Sequence, residues 1–409
     1  MSQLRSAAAN IVGRVVRGGA YSNVLVQQET RTWTGRDRAA MRSLVYTTLR
    51  WLPRIDRAID AVTNRPLAQI QPEVLDVLRV GVGELLAGTN ASYAVVSETV
   101  EAVKAAGVPR AAGFVNAAMR RIAENGEPPF TETETATRFG VAPWILDRLT
   151  AGWGPDEALA FLASADEAPQ IGIRVRPAAA FSEGDQVPGI AGARAVPGRA
   201  ADAVGRAAHA GEVVITDAAS VAVATAVEAA PGMTVLDAAA APGGKTSALW
   251  DAMEGRGKLV ATDRHAGRIA DMQRRLKHIG VNPRLVVADM AHPPFRPETF
   301  DRVLLDAPCT GLGTWRRRPE IPHRLKQGDP ARMGAVQRSL IEAALPLVKP
   351  GGILIYSVCT VFTEETIDVV AGFDAVPPAG LPGRVWGNGR LLAPHLTDTD
   401  GMFVSEIRR

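Results

Sequence analysis

The feature that most restricts the fold lies in the second half of the chain, where short apolar runs alternate with helical stretches and each run ends near a polar or reactive residue. The runs are Val235-Leu236, Leu259-Val260-Ala261, Leu285-Val286-Val287, Val303-Leu304-Leu305 and Ile353-Leu354-Ile355, and helical patterns occupy 245–253, 266–279 and 332–348. Runs of this kind suit a parallel sheet buried on both faces by helices. The expected class is therefore α/β, with a doubly wound sheet across 213–409. Such a sheet binds ligands beyond the carboxyl ends of its strands, near the switch in strand order. Asp237 and Gly243-Gly244 follow the first run, Asp263 the second, and Asp289 the third. Asp306 and Cys309 follow the fourth run, and Cys359 the fifth.

The first 125 residues read as all-helical. Leu75, Leu78, Val82, Leu85 and Leu86 recur at helical spacing, as do Phe114, Ala118 and Ile122. Gly88 and Gly107 fall where helices should stop, and Pro66, Pro72 and Pro109 punctuate turns. Asn125-Gly126-Glu127-Pro128-Pro129, followed by a Thr/Glu-rich stretch, predicts a linker. Helical patterns resume at 144–149 and 155–163, Ile171–Val175 alternates as a strand, and 177–212 reads as a small α/β element. Three regions result: a helical domain at 1–128, a helical linker with a small α/β subdomain at 129–212, and the sheet domain at 213–409.

Composition narrows the setting. No apolar run approaches the ~20 residues that cross a bilayer, and no signal-peptide core follows the N-terminus, so a cytoplasmic location and no membrane partner are expected. Two cysteines are too few for a disulfide framework or a four-Cys zinc site, and no metal is expected. The net charge of +3 is unevenly spread, because residues 1–50 hold eight Arg against Glu29 and Asp37. A second basic cluster comprises Arg316, Arg317, Arg318, Arg324 and Lys326, opposed nearby only by Glu320. Basic patches attract phosphate backbones, although an Arg-rich face can also be merely solvated.

The turn after the first run reads Asp237-Ala238-Ala239-Ala240-Ala241-Pro242-Gly243-Gly244-Lys245-Thr246. It is neither the GxGxxG dinucleotide fingerprint nor a P-loop, but its glycines admit a ligand close to the backbone. Asp263 lies where an acid accepts hydrogen bonds from ribose hydroxyls. Asp289 could receive an adenine amino group, with Met290 beside the ring. Each acid alone could be a helix cap. Together they point to an adenosyl ligand without a pyrophosphate. Adjacent strands lie roughly 5 Å apart, so neighbouring fourth and fifth strands would bring both thiols to one cleft. A thiolate adding to carbon 6 of cytosine makes carbon 5 enamine-like and able to accept a methyl from a sulfonium donor. The attacking thiol, with a reference pKa of about 8.5, needs a cation or helix N-terminus to ionise it. Asp306 would hold the base edge and stabilise the developing charge. Cys309 is a candidate helper when the carbon 5 proton is removed and the thiol leaves.

At these residues the sequence resembles the RNA cytosine-5 methyltransferases of the Sun/Fmu type, the bacterial 16S ribosomal RNA enzymes with an N-terminal NusB-like domain. The matching segments begin with Asp37-Arg38 and Val45-Tyr46, then Asp217-Ala-Ala-Ser220 and 240–246. They continue through Asp306-Ala-Pro-Cys-Thr-Gly311, Gln337, Lys349-Pro-Gly-Gly352, Ser357-Val-Cys359-Thr360 and Asp400-Gly-Met-Phe403. The resemblance implies a Rossmann-like class I methyltransferase domain, S-adenosylmethionine as cofactor and RNA as partner. It also implies Cys359 as nucleophile, Cys309 as the residue assisting product release, and Ala239, Ala240, Ala241, Pro242, Gly243, Gly244, Lys245, Asp263, Asp289 and Asp306 at the cofactor. Ala239 replaces a common Cys, Val358 a usual Thr, and Arg176 a frequent Asn. A target cytosine must leave its stack, at roughly a few kcal/mol. Arg316, Arg317 and Arg318 are expected to grip the flanking phosphates, and Trp315 could stack on a base. The rival readings are a transfer-RNA cytosine-5 methyltransferase, a non-catalytic RNA-binding assembly factor, and a dehydrogenase, the last disfavoured by the missing GxGxxG.

Overall fold

In the computed structural model, which describes residues 2–88 and 90–409, the N-terminal helices gather around Pro72–Ala87. From Val74 to Glu84 every residue of that helix is buried, because Ser2–Val16, Gly35–Arg50, Leu52–Val62, Ser92–Ala105 and Ala112–Asn125 all pack on it. Val12, Met41, Leu49, Ile55, Ile59, Leu78 and Met119 form the centre of this core. A helix surrounded on all sides must pair its charges, since an unpaired buried ion costs several kcal/mol. Glu84 takes both ends of the Arg5 fork at 2.7 Å, and Arg79 grips Asp56 at 2.7 and 2.8 Å. Gly81 lets Ser92–Ala105 approach closely: a Cβ there would meet Thr99 Oγ1 at 2.5 Å.

The expected linker after Asn125 is fixed in place. Gly126 stops the helix with φ 71°, but Arg54 then binds Glu127, and Arg57 binds Glu134 and the carbonyls of Pro128 and Pro129. The helical unit consequently runs on to Ala151 instead of ending near 128. It also takes in Arg317–Leu325, a segment far downstream in sequence. Glu320, 1% exposed, accepts from the Ser22 backbone N–H at 3.2 Å and from its hydroxyl at 2.8 Å. His323 is bonded to the Leu49 carbonyl at 2.6 Å, and Arg324 reaches the Ala20 carbonyl while lying over the Tyr21 ring.

The second unit comprises Gly152–Arg316 and Lys326–Arg409. Its strands, in chain order, are β1 (Ile171–Val175), β2 (Asp185–Gln186), β3 (Ala193–Val196), β4 (Val213–Ile215), β5 (Thr234–Asp237), β6 (Lys258–Asp263), β7 (Arg284–Val287), β8 (Phe300–Asp306), β9 (Val348–Val358), β10 (Ala375–Val376), β11 (Arg384–Trp386), β12 (Gly389–Leu392) and β13 (Met402–Arg408). The first four form a small antiparallel sheet in the order β2-β3-β1-β4. The others form one large sheet, ordered β11-β12-β13-β9-β8-β5-β6-β7, with β10 on β13. The five apolar runs are its parallel part, β7-β6-β5-β8-β9, and β13 then adds antiparallel to β9. Helices Gly244–Ala252, Ala266–His278 and Asp329–Ala344 supply the intervening turns of the winding. Leu236, Val303, Leu305, Leu354, Tyr356 and Phe403 meet on one face, and Val235, Leu304, Ile355 and Val404 on the other. No helix among the described residues is long and apolar enough to cross a membrane.

Candidate active site

The sequence of the large sheet reverses direction at β5, whose neighbours are β6 and β8, so the crevice beyond β5 and β8 is where a ligand should sit. The chain leaves β5 at Asp237, turns through Gly243 in a left-handed conformation, φ 100°, and starts a helix at Gly244. A Cβ placed on Gly244 would find nothing nearer than Thr216 Oγ1 at 3.9 Å, which leaves open space before the backbone at a helix N-terminus. Asp263 ends β6, and Asp289 follows β7. Each acid spends one oxygen on its own turn: Asp263 Oδ1 accepts from His265 N–H at 2.8 Å, and Asp289 Oδ1 from Ala291 N–H at 3.0 Å. Asp237 is buried, accepts from the Thr246 hydroxyl at 2.6 Å, and has no partner among the described residues for Oδ1. Burial, chiefly, pushes its pKa up to about 7, and the nearby Asp306 charge pushes the same way. An open glycine turn followed by acids at two successive strand ends fits an adenosyl ligand with a cationic sulfur.

The reactive residues stand on β8 and β9, which pair in parallel with Leu305 opposite Tyr356 and Asp306 opposite Ser357. That register carries both following turns to the same end of the sheet. Cys309 Sγ and Cys359 Sγ lie 3.3 Å apart, and both residues are partly exposed. Asp306 accepts from Lys245 Nζ at 2.6 Å and from the Ser357 hydroxyl at 2.8 Å. Burial works against the Lys245 charge, but Asp306 first, then Cys359 and Asp237, outweigh it and raise the lysine pKa. The Cys309 thiol is pushed well above the ordinary range by its hydrogen bond with Cys359, by burial and by neighbouring anions. The crevice thus brings the Lys245–Asp306 pair and the thiol pair within electrostatic reach of each other.

Several expectations meet a different outcome. Trp315 is fully buried, so it offers no face to a base. Arg316 is 6% exposed and binds Asp398 at 2.8 Å, which withdraws it from the expected phosphate grip. Arg317 is half-buried and Arg318 exposed. Arg176 reaches Asp251 at 2.7 and 3.0 Å beside Arg174, and its other nitrogen reaches the carbonyl of Ile279, so it braces the small sheet against helix Gly244–Ala252. Val358 faces the core. Glu365, which the sequence reading passed over, is buried and bonded to residues beside both cysteines. A group of three or more His, Cys, Asp or Glu side chains able to hold a metal ion does not occur among the described residues.

Comparison with known proteins agrees with this geometry. The family model for 16S rRNA methyltransferase RsmB/F matches residues 224–408, and that for the NusB family matches residues 2–124. The crystal structure of PH0851 superposes with a TM-score of 0.83 at 24% identity, covering 100% of this chain and 98% of that one. A methyltransferase homolog from Pyrococcus horikoshii superposes with a TM-score of 0.57 at 26% identity, over 68% of this chain and 100% of that one. Fold and site together are those of an S-adenosylmethionine-dependent RNA methyltransferase. A probable ribosomal RNA small subunit methyltransferase B from Bacillus subtilis is 30% identical across 100% of this chain and 99% of its own length. The chain belongs to the RsmB/F family of 16S rRNA methyltransferases, with a NusB-like helical domain at its N-terminus.

Proposed function

We propose that this protein methylates carbon 5 of a cytosine in 16S ribosomal RNA, with Cys359 as covalent nucleophile. The observation that carries the reading is the thiol pair, 3.3 Å apart, beside the Lys245–Asp306 ion pair. A chemistry that needs only a methyl acceptor and a base would not need two adjacent sulfurs. The family's relatives named as small-subunit rRNA methyltransferases favour the 16S substrate.

Ala239 through Lys245, with Asp263 and Asp289, would hold S-adenosylmethionine, which when bound supplies an electrophilic methyl group. Asp306 accepts a hydrogen bond from the exocyclic amine of the base. The Cys359 thiolate attacks carbon 6, forming the sulfur–carbon bond and moving the ring electrons toward carbon 5. Lys245 stabilises the anion before attack and is itself held in place by Asp306. After carbon 5 is methylated its proton departs to a base, the electrons return to the carbon 5–carbon 6 bond, and the Cys359 sulfur leaves as thiolate. Cys309 assists that departure from its place against Cys359. The exposed Arg31, Arg36, Arg38 and Arg42 of the helical unit, with Arg318, are the proposed contacts to RNA phosphates.

RNA carrying 5-fluorocytosine blocks proton loss at carbon 5 and should leave the enzyme covalently attached. A protein–RNA adduct that survives denaturation in wild type and vanishes in Cys359→Ala is the expected result. An adduct retained in Cys359→Ala, or none in wild type with saturating cofactor, would overturn the reading.

A further inference from the structure

Two sulfurs 3.3 Å apart share one environment, so something has to decide which of them carries the charge. The structure supplies a candidate behind them. Glu365, at the end of the turn Thr363–Glu365 that follows β9, is completely buried. Its Oε2 accepts from the backbone N–H of Thr310, the residue after Cys309, at 2.9 Å, and its Oε1 lies 3.2 Å from the hydroxyl of Thr360, the residue after Cys359. The Thr310 hydroxyl also donates to Oε1. Gln337 donates one amide hydrogen to Oε2 at 2.9 Å and is 2.9 Å from the Pro308 carbonyl with the same nitrogen. The Tyr356 hydroxyl lies 3.0 Å from Gln337 Oε1 and 2.8 Å from the Glu365 carbonyl. A single side chain is therefore tied to the neighbours of both cysteines.

We propose that Glu365 is a positioning residue that locks the Cys309 and Cys359 turns side by side and directs their shared proton onto Cys309, leaving Cys359 as the ionised sulfur. The inference rests on the covalent reading above. The donors converging on Glu365 are N–H and O–H groups, which suits an acceptor-only carboxylate and works against the burial that, on balance, raises the pKa of that acid. An anion bonded to the backbone directly after Cys309 disfavours a second negative charge there. Among the described residues, the titratable groups that act on the thiols include Lys245 from helix Gly244–Ala252, Asp306 from β8, Tyr356 from β9 and Glu365 from the turn, while Asp237 from β5 acts on Lys245. Only Lys245 among them is cationic, and its charge is coupled to Cys359. Tyr356 keeps its proton, because burial, then Cys309, Glu365 and Asp306, hold its pKa well above the usual phenol value.

Iodoacetamide labelling of the intact chain at pH 8, with each cysteine read by mass spectrometry, tests this without RNA or cofactor. Cys359 should label at least about tenfold faster than Cys309 in wild type, since one pKa unit is a factor of ten in thiolate population. Glu365→Gln keeps the size of the side chain and removes its charge. It should bring the two rates within about threefold and move the acid limb of Cys359 labelling to lower pH. Glu365→Asp should restore the wild-type preference. A folded Glu365→Gln protein with the wild-type ratio and limb would overturn the proposal. If that variant does not fold, the wild-type ratio decides: equal labelling overturns the proposal and a preference for Cys359 supports it. A protein that shows the labelling preference but forms no fluorocytosine adduct would instead refute the covalent reading.

Discussion

Lys245 stands between an acid and a thiol, and the two relationships pull in the same direction. Its contact with Asp306 at 2.6 Å supports the ammonium charge, and that ammonium is the cation available to a Cys359 thiolate. Lys245→Met should move the acid limb of the pH profile of kcat/KM upward by about one unit and lower the rate at pH 7 about tenfold or more. Steady-state methyl incorporation from pH 6 to 10 would measure this, and an unshifted limb would count against it. Asp237 makes a different prediction. Its pKa rises from 3.8 to about 7 on folding, so the folded chain binds this proton more tightly than the unfolded one. Its contribution to stability is complete below the unfolded value and is lost as pH climbs through the folded value. Asp237→Asn escapes that loss, so its melting temperature should exceed that of wild type at pH 8, and the gap should close by pH 4. Calorimetry at both pH values checks it; a gap independent of pH would contradict the assignment. The residues that the sequence made legible, Asp306, Cys309 and Cys359, are those immediately beyond apolar runs. Glu365 was not, because it carries no local pattern and its bond to Thr310 joins positions 55 apart.

Among the elements, β9 carries most of the architecture, since it lies between the parallel half of the sheet and the antiparallel addition. The parallel strands were readable as apolar runs because both their faces are covered. Strands β10 to β12 were not, because they are short, follow one another without long helices, and expose residues such as Val385. The importance of β13 to the site comes through its Phe403, which lies opposite Val358, stacks edge-on to Tyr356 at 6.4 Å and to Trp386 at 6.1 Å, and is fully buried. Phe403→Ala should destabilise the protein by about 3–5 kcal/mol. A urea denaturation series would show it, and a loss below about 1 kcal/mol would mean that β13 is not part of the cooperative core. The stretch after Asn125 shows the opposite kind of misreading. Pro, Gly and Glu marked it as a linker, yet Arg54 and Arg57, some 70 residues earlier, bind its acids and carbonyls. Composition reports what a segment does alone, and these partners are not local.

For the whole molecule, the question is how a chain with a net charge of only +3 holds RNA. The exposed arginines at 31, 36, 38 and 42 concentrate positive charge on the helical unit while the remainder of the chain is balanced. Replacing these four with Ala should weaken RNA binding, reduce the slope of log affinity against log salt by up to about 4, and leave affinity for S-adenosylmethionine unchanged. Filter binding over a salt series measures the first two, and calorimetric titration the third; an unaltered salt slope would place the RNA elsewhere. The domain organisation was legible as helices followed by a wound sheet, but the membership of Arg317–Leu325 was not, since nothing in its basic composition announces a burial site for Glu320 or His323.

That excursion has a consequence for how the chain can be divided. The polypeptide quits the catalytic unit after Arg316, inserts nine residues among the N-terminal helices, and resumes at Lys326. A fragment starting between Asn125 and Glu320 would carry Glu320 stripped of Ser22, and the N-terminal helices alone would lack the acid that caps Ser22–Glu29. The two families' signatures sit at opposite ends of the sequence, yet the helical unit draws nine of its residues from between Arg316 and Lys326.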